Sequence, residues 1–318
     1  MLKIVIIGYG EMYANIIQGC LNSNVKIVGV FYDELIKLSP LKLFLKNIFY
    51  PSKDYTFSKS LNLNILKGKS VNSLKFQKQL LRLNPDIIFV GSWGEKFKAK
   101  TFNIPKIATI NVHPSLLPKY RGPNPYLQVI LHNEKYTGVT FHIMDKNFDS
   151  GPILLQEKIK IESYDNSKTL KNKTCAIVKN QIPKLISNFN NENFITPQLQ
   201  NENEATYQSA INENDVIIDF SKSNSREIDC QIRAILPFSK VYLYLKNDFF
   251  YFENHEILKN KSNDIYKPGE IVNIEKNRTI YIATKDNKII KFSNLKSYGI
   301  FGKLKAVFLF TNFIHYFK

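Results

Sequence analysis

The strongest constraint on the fold is a series of short apolar runs in the first 112 residues of the chain. They are Ile4–Ile7, Val25–Phe31, Asp86–Val90 and Ala108–Val112. Short runs of this kind, without alternation, are typical of strands that helices cover on both faces of a parallel sheet. A helical pattern follows the first run to about Cys20, and another spans Ser73–Leu83. Between the second run and this helix, the sequence predicts an irregular helix over 38–48, a loop over 51–57 and a short strand over 63–66. The amino-terminal part is therefore predicted to be an α/β domain with a Rossmann-like, doubly wound sheet.

Polar side chains cluster at the carboxyl end of the fourth run. Asn111 and His113 are two residues apart, so on a strand they face the same side. A loop rich in proline and glycine follows over 114–122, and a second polar loop, over 144–152, carries Asp149. An amide donor beside an imidazole that titrates near neutrality is a candidate catalytic pair, and Asp149 is the candidate third member.

The other histidines are weaker candidates. His132 lies near a predicted helix end and His142 in a predicted strand, and both are expected to be surface or half-buried structural residues. His255 and His315 lie outside the motif region. His113 alone combines an amide two residues earlier with a specific loop after it, so it is the predicted catalytic histidine.

Three linked motifs carry a resemblance to a known family. They are Asn-x-His-x-Ser-Leu-Leu-Pro-x-Tyr-Arg-Gly over 111–122, Thr-Gly-Val-Thr over 137–140 and Asp-Ser-Gly over 149–151. In this order they resemble the signature of the folate-dependent formyltransferases. The resemblance implies the formyltransferase fold and transfer of a formyl group from the co-substrate 10-formyltetrahydrofolate to a primary amine. It also implies catalytic positions for Asn111, His113 and Asp149.

The same resemblance implies a binding site for the folate and requires no metal. Its expected contacts are Glu95, Lys96, Phe97, Arg121, Asp145, Lys146, Asn147 and Phe148. In the reaction, Asn111 is expected to stabilise negative charge on the formyl oxygen and His113 to carry the proton. Because a carboxylate favours a protonated ring, Asp149 is expected to raise the pKa of His113 toward the operating pH.

A second, smaller domain is predicted after residue 204. Residues 165–189 have a helical pattern, and the asparagine-rich stretch 190–204 is expected to be a linker. The predicted domains are therefore 1–189 and 205–318. The segments after residue 205 resemble the start of the carboxyl-terminal domain of two-domain family members, and short β-patterned runs follow. These runs, at 241–245, 249–252, 269–274, 279–283 and 288–292, are typical of an OB-like β-barrel.

The sequence leaves the acceptor amine open between two classes. A net charge of +17 favours an anionic partner, such as nucleic acid, a phosphorylated substrate or a membrane face. A lysine-rich compositional bias of the source accounts for the charge equally well, and the charge alone does not choose among these explanations. The Gly-Thr-Pro-Glu-Phe motif usual in methionyl-tRNA formyltransferases is replaced by Gly-Tyr-Gly-Glu-Met over 8–12. This departure favours a dTDP- or UDP-linked amino sugar, as used for cell-surface polysaccharides such as lipopolysaccharide O-antigen. Methionyl-tRNA is the alternative.

Two other protein classes compete with this interpretation. Gly8, Gly10 and Asp33 outline a dinucleotide-binding turn, which would suit an NAD-dependent oxidoreductase. The third glycine of that pattern is replaced by Tyr13, however, which favours an ordinary βα turn. An NAD-dependent oxidoreductase would also have no use for Asn111, His113 and Asp149. A non-catalytic RNA-binding protein would account for the basic charge and the predicted barrel, and RNA binding that survives the His113→Ala substitution would favour it.

Cysteine use and hydropathy bear on the compartment. Cys20, Cys175 and Cys230 are far apart and odd in number, which predicts buried thiols in a reducing environment. Neither a signal peptide nor an apolar run long enough to span a bilayer is apparent. A cytoplasmic protein is expected, and the sequence leaves open whether it forms a homodimer.

Overall fold

A computed structural model of the chain describes residues 1–32, 40–190, 196–260 and 264–297. The described residues divide into two compact units. The first comprises Met1–Pro125, Lys135–Glu162 and Thr169–Ser209, and the rest form the second. Residues 196–204, which the sequence predicts to be part of a linker, thus group with the first unit. Tyr126–Glu134, from the middle of the predicted first domain, groups with the second.

The first unit is built on a six-stranded sheet with the order β2-β1-β3-β4-β5-β6. The strands are β1 (Leu2–Gly8), β2 (Val25–Tyr32), β3 (Ile87–Gly91), β4 (Ala108–His113), β5 (Tyr136–Ile143) and β6 (Ile153–Lys160). The first four are parallel, while β5 and β6 add antiparallel at one edge. Because β1 and β3 are neighbours, the connections leave the sheet in opposite directions there, as in a doubly wound fold. The predicted fold class is confirmed.

Helices lie between and after these strands in the chain. They are α1 (Gly10–Leu21), α2 (Pro40–Phe49), α3 (Lys53–Ser60), α4 (Leu74–Leu83), α5 (Ala99–Phe102), α6 (Pro125–Leu131) and α7 (Ser167–Asn190). All of α6 except Pro125 groups with the second unit. The long helix α7 continues through Pro183. No helix in the described ranges is long and apolar enough to cross a bilayer.

The core of the first unit follows from the alternation of side chains along the strands. In β1, Ile4 and Ile6 pack on one face of the sheet with Ile16 of α1 and Ile182 of α7. Val5 and its alternating neighbour Ile7 pack on the opposite face, in the cluster that includes Phe76 and Leu80 of α4. Both faces of each parallel strand are thus buried, which explains why the strands read as uninterrupted apolar runs.

Two local predictions between β2 and α4 are wrong. Residues 51–57, predicted as a loop, lie largely in α3, where the Ser52 hydroxyl caps the helix by accepting from the Tyr55 N–H. The strand predicted over 63–66 is reduced to one parallel bridge between Ile65 and Val30. Part of the helix predicted over 38–48, its first two residues, lies outside the described residues, and α2 covers the remainder.

The glycine turn after β1 has a structural explanation without a dinucleotide. A Cβ on Gly8 would lie 2.3 Å from the Gly91 carbonyl oxygen, so β1 and β3 approach too closely for any side chain there. The backbone N–H of Gly10 donates to both carboxylate oxygens of Asp54 at 3.0 Å. A protein carboxylate therefore already occupies the anion-binding position at the start of α1. Asp33, the acid expected to bind a ribose, lies outside the described residues.

The second unit carries the predicted small antiparallel β domain. Its strands are β7 (Tyr242–Leu245), β8 (Asp248–Tyr251), β9 (Asn254–Leu258), β10 (Ile271–Glu275), β11 (Thr279–Ala283), β12 (Ile289–Ser293) and β13 (Lys296–Ser297). They form the sheets β10-β11-β12-β9 and β13-β8-β7. Helix α8 (Ser225–Ile235) precedes them and begins with a capping box between Asn224 and Glu227. Strand β9 was not predicted from the sequence.

The thiols of all three cysteines, Cys20, Cys175 and Cys230, are free and buried, as expected.

Candidate active site

Strand β4 presents Asn111 and His113 at the carboxyl end of the parallel sheet, where open α/β folds bind their ligands. His113 is 5% exposed. Asn111 lies opposite His142 in the antiparallel β4–β5 pair, and His113 lies opposite Thr140. Directly opposed residues lie close together, so the β4–β5 pairing adds a second imidazole to the predicted pair.

Asp149 is brought to this position by a tightly constrained loop between β5 and β6. The Asp145 carboxylate accepts from the Asn147 N–H at 2.9 Å and from the Ser150 hydroxyl at 2.8 Å, which closes the turn. Asp149 itself adopts a left-handed conformation, with φ of 55°. A Cβ on Gly151 would lie 1.8 Å from the Ile143 carbonyl oxygen, so only glycine fits there. The Asp-Ser-Gly motif thus aims one carboxylate at the end of β4.

The carboxylate of Asp149 is shared among the predicted residues. Its Oδ1 accepts from the Asn111 Nδ2 at 3.1 Å and lies 3.5 Å from the His113 Nδ1. Its Oδ2 accepts from the Gly122 N–H at 2.9 Å. Asp149 therefore contacts both Asn111 and His113, the other two residues chosen from the sequence.

His142 belongs to the same cluster, and the expectation that it is a surface or half-buried structural residue is wrong. It is 2% exposed, and its Nε2 lies 3.1 Å from the Asn111 Nδ2 and 3.6 Å from the Asp149 Oδ1. Its Nδ1 lies 3.1 Å from the Ile143 carbonyl oxygen. A tautomer protonated at Nδ1 satisfies both contacts, since Nε2 then accepts from Asn111. The signal that could have found it is the register of β4 with β5.

The loop 114–122 holds the imidazole of His113 from the other side. The Nε2 of His113 lies 2.8 Å from the Tyr120 carbonyl oxygen, to which it donates. The Thr140 hydroxyl fixes the loop, because it donates to the Ser115 carbonyl at 2.7 Å and accepts from the Leu117 N–H at 3.2 Å. The peptide bond between Leu117 and Pro118 is cis. The Ser-Leu-Leu-Pro motif therefore shapes a backbone support for the histidine.

Burial governs the electrostatics of the cluster. Desolvation lowers the pKa of His113, and this effect outweighs the opposing influence of Asp149 and of the Tyr120 carbonyl. Asp149 thus raises the pKa of His113, as expected, but burial holds that pKa below its ordinary value. Burial also raises the pKa of Asp149, but His113, His142 and the Gly122 N–H lower it more, so the carboxyl stays ionised well below neutral pH. The resting site thus pairs an ionised Asp149 with a neutral His113.

A pocket of about 500 Å³ is lined in part by the backbone turn that carries Asp149. Five of the predicted folate contacts line it, namely Lys96, Arg121, Asp145, Asn147 and Phe148. The Lys96 ammonium lies 5.8 Å from the centre of the Phe148 ring. The lining thus combines an aromatic ring with two cations, Lys96 and Arg121, and two carboxylates, Asp145 and Glu202.

The other predicted folate contacts are placed differently. The Glu95 carboxylate turns toward the loop after residue 69, where it accepts from the Val71 N–H at 3.1 Å and the Asn72 amide at 3.0 Å. Phe97 packs in the core at 3% exposure. Lys146 is not among the residues that line the pocket. The side chains of Glu95 and Phe97 are thus engaged elsewhere, and a folate contact through their backbone groups stays a prediction.

Comparisons with known proteins agree with this geometry. A model described as "Formyl transferase" matches residues 2–186, and "Formyl transferase, C-terminal domain" matches residues 210–299. A methionyl-tRNA formyltransferase of Ehrlichia ruminantium is 31% identical over 297 residues, which covers 91% of this chain and 90% of the relative. One from Staphylococcus aureus is 30% identical over 268 residues, or 83% of each chain.

Solved structures share the fold. An N-formyltransferase from Helicobacter canadensis, in complex with folinic acid and dTDP-3-aminofucose, has a TM-score of 0.65 at 20% identity. It covers 94% of this chain and 100% of that one. The sugar 3N-formyl transferase WlaRD has a TM-score of 0.63 at 23% identity, and the match covers 92% of this chain and 97% of that one. HypX from Aquifex aeolicus, in complex with tetrahydrofolic acid, has a TM-score of 0.61 at 14% identity. The match covers 94% of this chain and 44% of that one. Since the first family model spans more than half of the sequence and relatives match it nearly end to end, this chain belongs to the formyl transferase family.

Proposed function

We propose that this enzyme transfers a formyl group from 10-formyltetrahydrofolate to the primary amine of a nucleotide-linked amino sugar. The observation that carries the reaction type is the Asp149 carboxylate, which contacts both the Asn111 amide and the His113 imidazole. An amide donor can stabilise the charge on the formyl oxygen, and an imidazole supported by a carboxylate can move the proton, which together assist acyl transfer to nitrogen.

His113 acts on the proton in this proposal. The donor supplies the formyl group, whose carbon forms a bond to the acceptor nitrogen while its bond to the folate nitrogen breaks. Because burial keeps His113 neutral at rest, its ring accepts the proton that the attacking amine loses and returns it to the departing nitrogen. Asp149, 3.5 Å from the His113 Nδ1, stabilises the imidazolium while it exists.

Asn111 stabilises the negative charge on the formyl oxygen. In the resting site its Nδ2 donates to the Asp149 carboxylate and contacts the His142 Nε2, so both hydrogens already have partners. A hydrogen bond to an ionised carboxylate is stronger than one to an imidazole nitrogen, so we expect the formyl oxygen to replace His142 rather than Asp149. One well-placed donor of this kind contributes about 3 kcal/mol to the transition state.

The pocket beside Asp149 suits the folate. Phe148, which is 40% exposed, offers an aromatic face, and Lys96 offers a positive charge next to it. We infer that the donor lies in this pocket, because Phe148 and Ser150, the two residues next to Asp149 in the chain, both line it.

The amino-sugar acceptor is supported by the turn after β1. This turn follows a strand two places from β4 in the sheet and carries Gly-Tyr-Gly-Glu-Met in place of the motif usual in the tRNA enzymes. Tyr9, in the middle of this turn, is 45% exposed. A flat aromatic ring in this position suits the base or sugar of a small nucleotide ligand.

Methionyl-tRNA is the second candidate acceptor. The observation in its favour is the similarity to methionyl-tRNA formyltransferases along both parts of the chain, at 31% identity over 297 residues. The net charge of +17 suits either a polyanionic tRNA or a nucleotide diphosphate.

The decisive experiment offers both acceptors to one preparation. The purified protein is incubated with 10-formyltetrahydrofolate and either a panel of dTDP- and UDP-linked amino sugars or methionine-charged initiator tRNA. The products are identified by mass spectrometry, with the His113→Ala variant as control. We expect formylation of at least one amino sugar by the wild-type protein only. If only the tRNA is formylated, methionyl-tRNA is the acceptor and the amino-sugar assignment is rejected. If no acceptor is formylated, the whole proposal is rejected.

The same preparation discriminates the two other classes. Titration with NAD is expected to give no binding, because the Asp54 carboxylate occupies the position that a pyrophosphate would need. Binding of RNA that is unaffected by the His113→Ala substitution, without binding of tetrahydrofolate, would favour a non-catalytic RNA-binding protein instead.

A further inference from the structure

The segment 196–208 forms part of the first unit beside the Asp149 cluster. Gln198 and Ile153 exchange two backbone hydrogen bonds, at 2.8 and 2.9 Å. Farther along, the Arg121 N–H donates to the Thr206 carbonyl at 2.9 Å, and the Gln208 N–H donates to the Arg121 carbonyl at 2.9 Å. The segment is thus hydrogen-bonded to both loops that carry the site.

The Gln200 amide joins these two loops through its side chain. Its Nε2 donates to the Asp149 carbonyl oxygen at 2.8 Å and to the Gly151 carbonyl oxygen at 2.7 Å. Its Oε1 accepts from the Arg121 Nη2 at 2.8 Å and from the Arg121 Nε at 3.2 Å. Both donors and the acceptor of one amide are therefore committed to the two loops.

Glu202 also binds the Arg121 guanidinium. Its Oε1 and Oε2 accept from the Arg121 Nη2 and Nη1 at 2.7 and 2.9 Å, the bidentate geometry that a guanidinium favours. The Arg121 side chain is 9% exposed, whereas that of Glu202 is 67% exposed. The guanidinium is thus fixed in place between two residues of the segment 196–208.

Arg121 lies between the two backbone groups that support the catalytic side chains. The carbonyl of the preceding residue, Tyr120, accepts from His113, and the N–H of the following residue, Gly122, donates to Asp149. A shift of Arg121 would therefore move both supports together. The Asp149 backbone is held directly by Gln200, so the same amide acts on the site from both sides.

We propose that Gln200 is a positioning residue for formyl transfer, and that Glu202 assists it by holding Arg121. This inference rests on the proposed function for its catalytic consequence. Gln200 touches neither the imidazole of His113 nor the carboxylate of Asp149, and it sets the distance between them through the loops that carry them. The segment predicted to be a linker is thereby a structural part of the active site.

The test compares Gln200→Met with Gln198→Met. Methionine matches the length of glutamine and removes its hydrogen bonds. Gln198 lies in the same segment, is exposed and pairs with Ile153 through its backbone, so it is the matched control. We expect kcat of Gln200→Met to fall at least about tenfold, with a smaller change in the KM for the folate, since geometry within about 1 Å governs such steps. Gln198→Met should retain wild-type values.

A second measurement does not depend on turnover. In histidine-labelled protein the ring of His113 is titrated by NMR, with His113→Gln used to assign its signal. When Asp149 recedes from the ring its stabilisation of the imidazolium weakens, so the pKa of His113 should fall by about half a unit or more in Gln200→Met only. Unchanged titration and unchanged kcat in Gln200→Met would overturn the positioning role.

The outcomes separate this inference from the proposed function. If the wild-type protein transfers no formyl group but the pKa of His113 still falls in Gln200→Met, the proposed function is rejected and the positioning role is retained. If Gln200→Met and Gln198→Met both transfer the formyl group at the wild-type rate and the pKa of His113 is unchanged, the positioning role is rejected and the proposed function is retained. Should Gln200→Met fail to fold, Gln200→Asn, which keeps the amide one methylene back, serves in the same two measurements.

Discussion

Replacement of Asp149 by asparagine tests the proposed mechanism most directly. The substitution removes the charge that lies 3.5 Å from the His113 Nδ1 while it preserves the shape of the side chain. At this separation, and with an effective dielectric constant of about 20, the interaction with an imidazolium is at most about 5 kcal/mol. We therefore expect kcat of Asp149→Asn to fall by roughly three orders of magnitude.

The assay for this prediction measures formylated product under saturating donor and acceptor, and calorimetry measures the affinity for tetrahydrofolate. Asp229→Asn is a matched control, because Asp229 also pairs with a histidine, at 3.0 Å from the His255 Nε2, but in the second unit. The control should retain kcat within about twofold, since its carboxylate has no part in the reaction. If Asp149→Asn binds tetrahydrofolate and keeps kcat within tenfold of the wild-type value, the reasoning is refuted.

Three further outcomes are expected. Because a neutral His113 accepts the proton and burial lowers its pKa from 6.5, the acid limb of kcat/KM should lie below pH 6.5; a limb above that value would contradict this. Tyr13→Phe should lower the free energy of unfolding by about 1 kcal/mol, since it removes a buried 2.7 Å hydrogen bond to Ser58. Denaturant titration measures this, with the exposed Tyr9→Phe as control. Gly138→Ala should lower the melting temperature markedly, because its Cβ would lie 2.3 Å from a carbonyl oxygen of β6; an unchanged melting curve would show that the strand can shift.

The sequence was informative where local pattern and local chemistry coincide. Runs such as Ile4–Ile7 are apolar on both faces, and only a sheet covered on both sides buries such strands. The pair Asn111 and His113 could be placed on one side of a strand because side chains alternate with a period of two. The constrained loops around Asp149 contain glycines because neighbouring backbone atoms lie too close for a side chain at these positions.

The sequence was least informative where the outcome depends on distant partners. Residues 53–60 lack a strong apolar pattern, yet they form α3, whose Asp54 reaches the Gly10 N–H and whose Ser58 bonds Tyr13. The residues around His142 in the sequence do not indicate that it joins the Asn111 cluster, because its contact with Asn111 depends on the register of the antiparallel strands β4 and β5. The polar segment 196–208 reads as a linker, since its hydrogen bonds lead to residues far away in the chain.

By itself, then, the sequence determined the class of fold, the order of its strands along the chain and the identity of three polar residues at one sheet edge. Tertiary structure alone decided how deeply these residues are buried, which protonation state that burial imposes on His113, and that Gln200 holds the loops around them. The physical reason is that patterning is encoded in neighbouring residues, whereas desolvation and long-range hydrogen bonds exist only after distant segments have packed together.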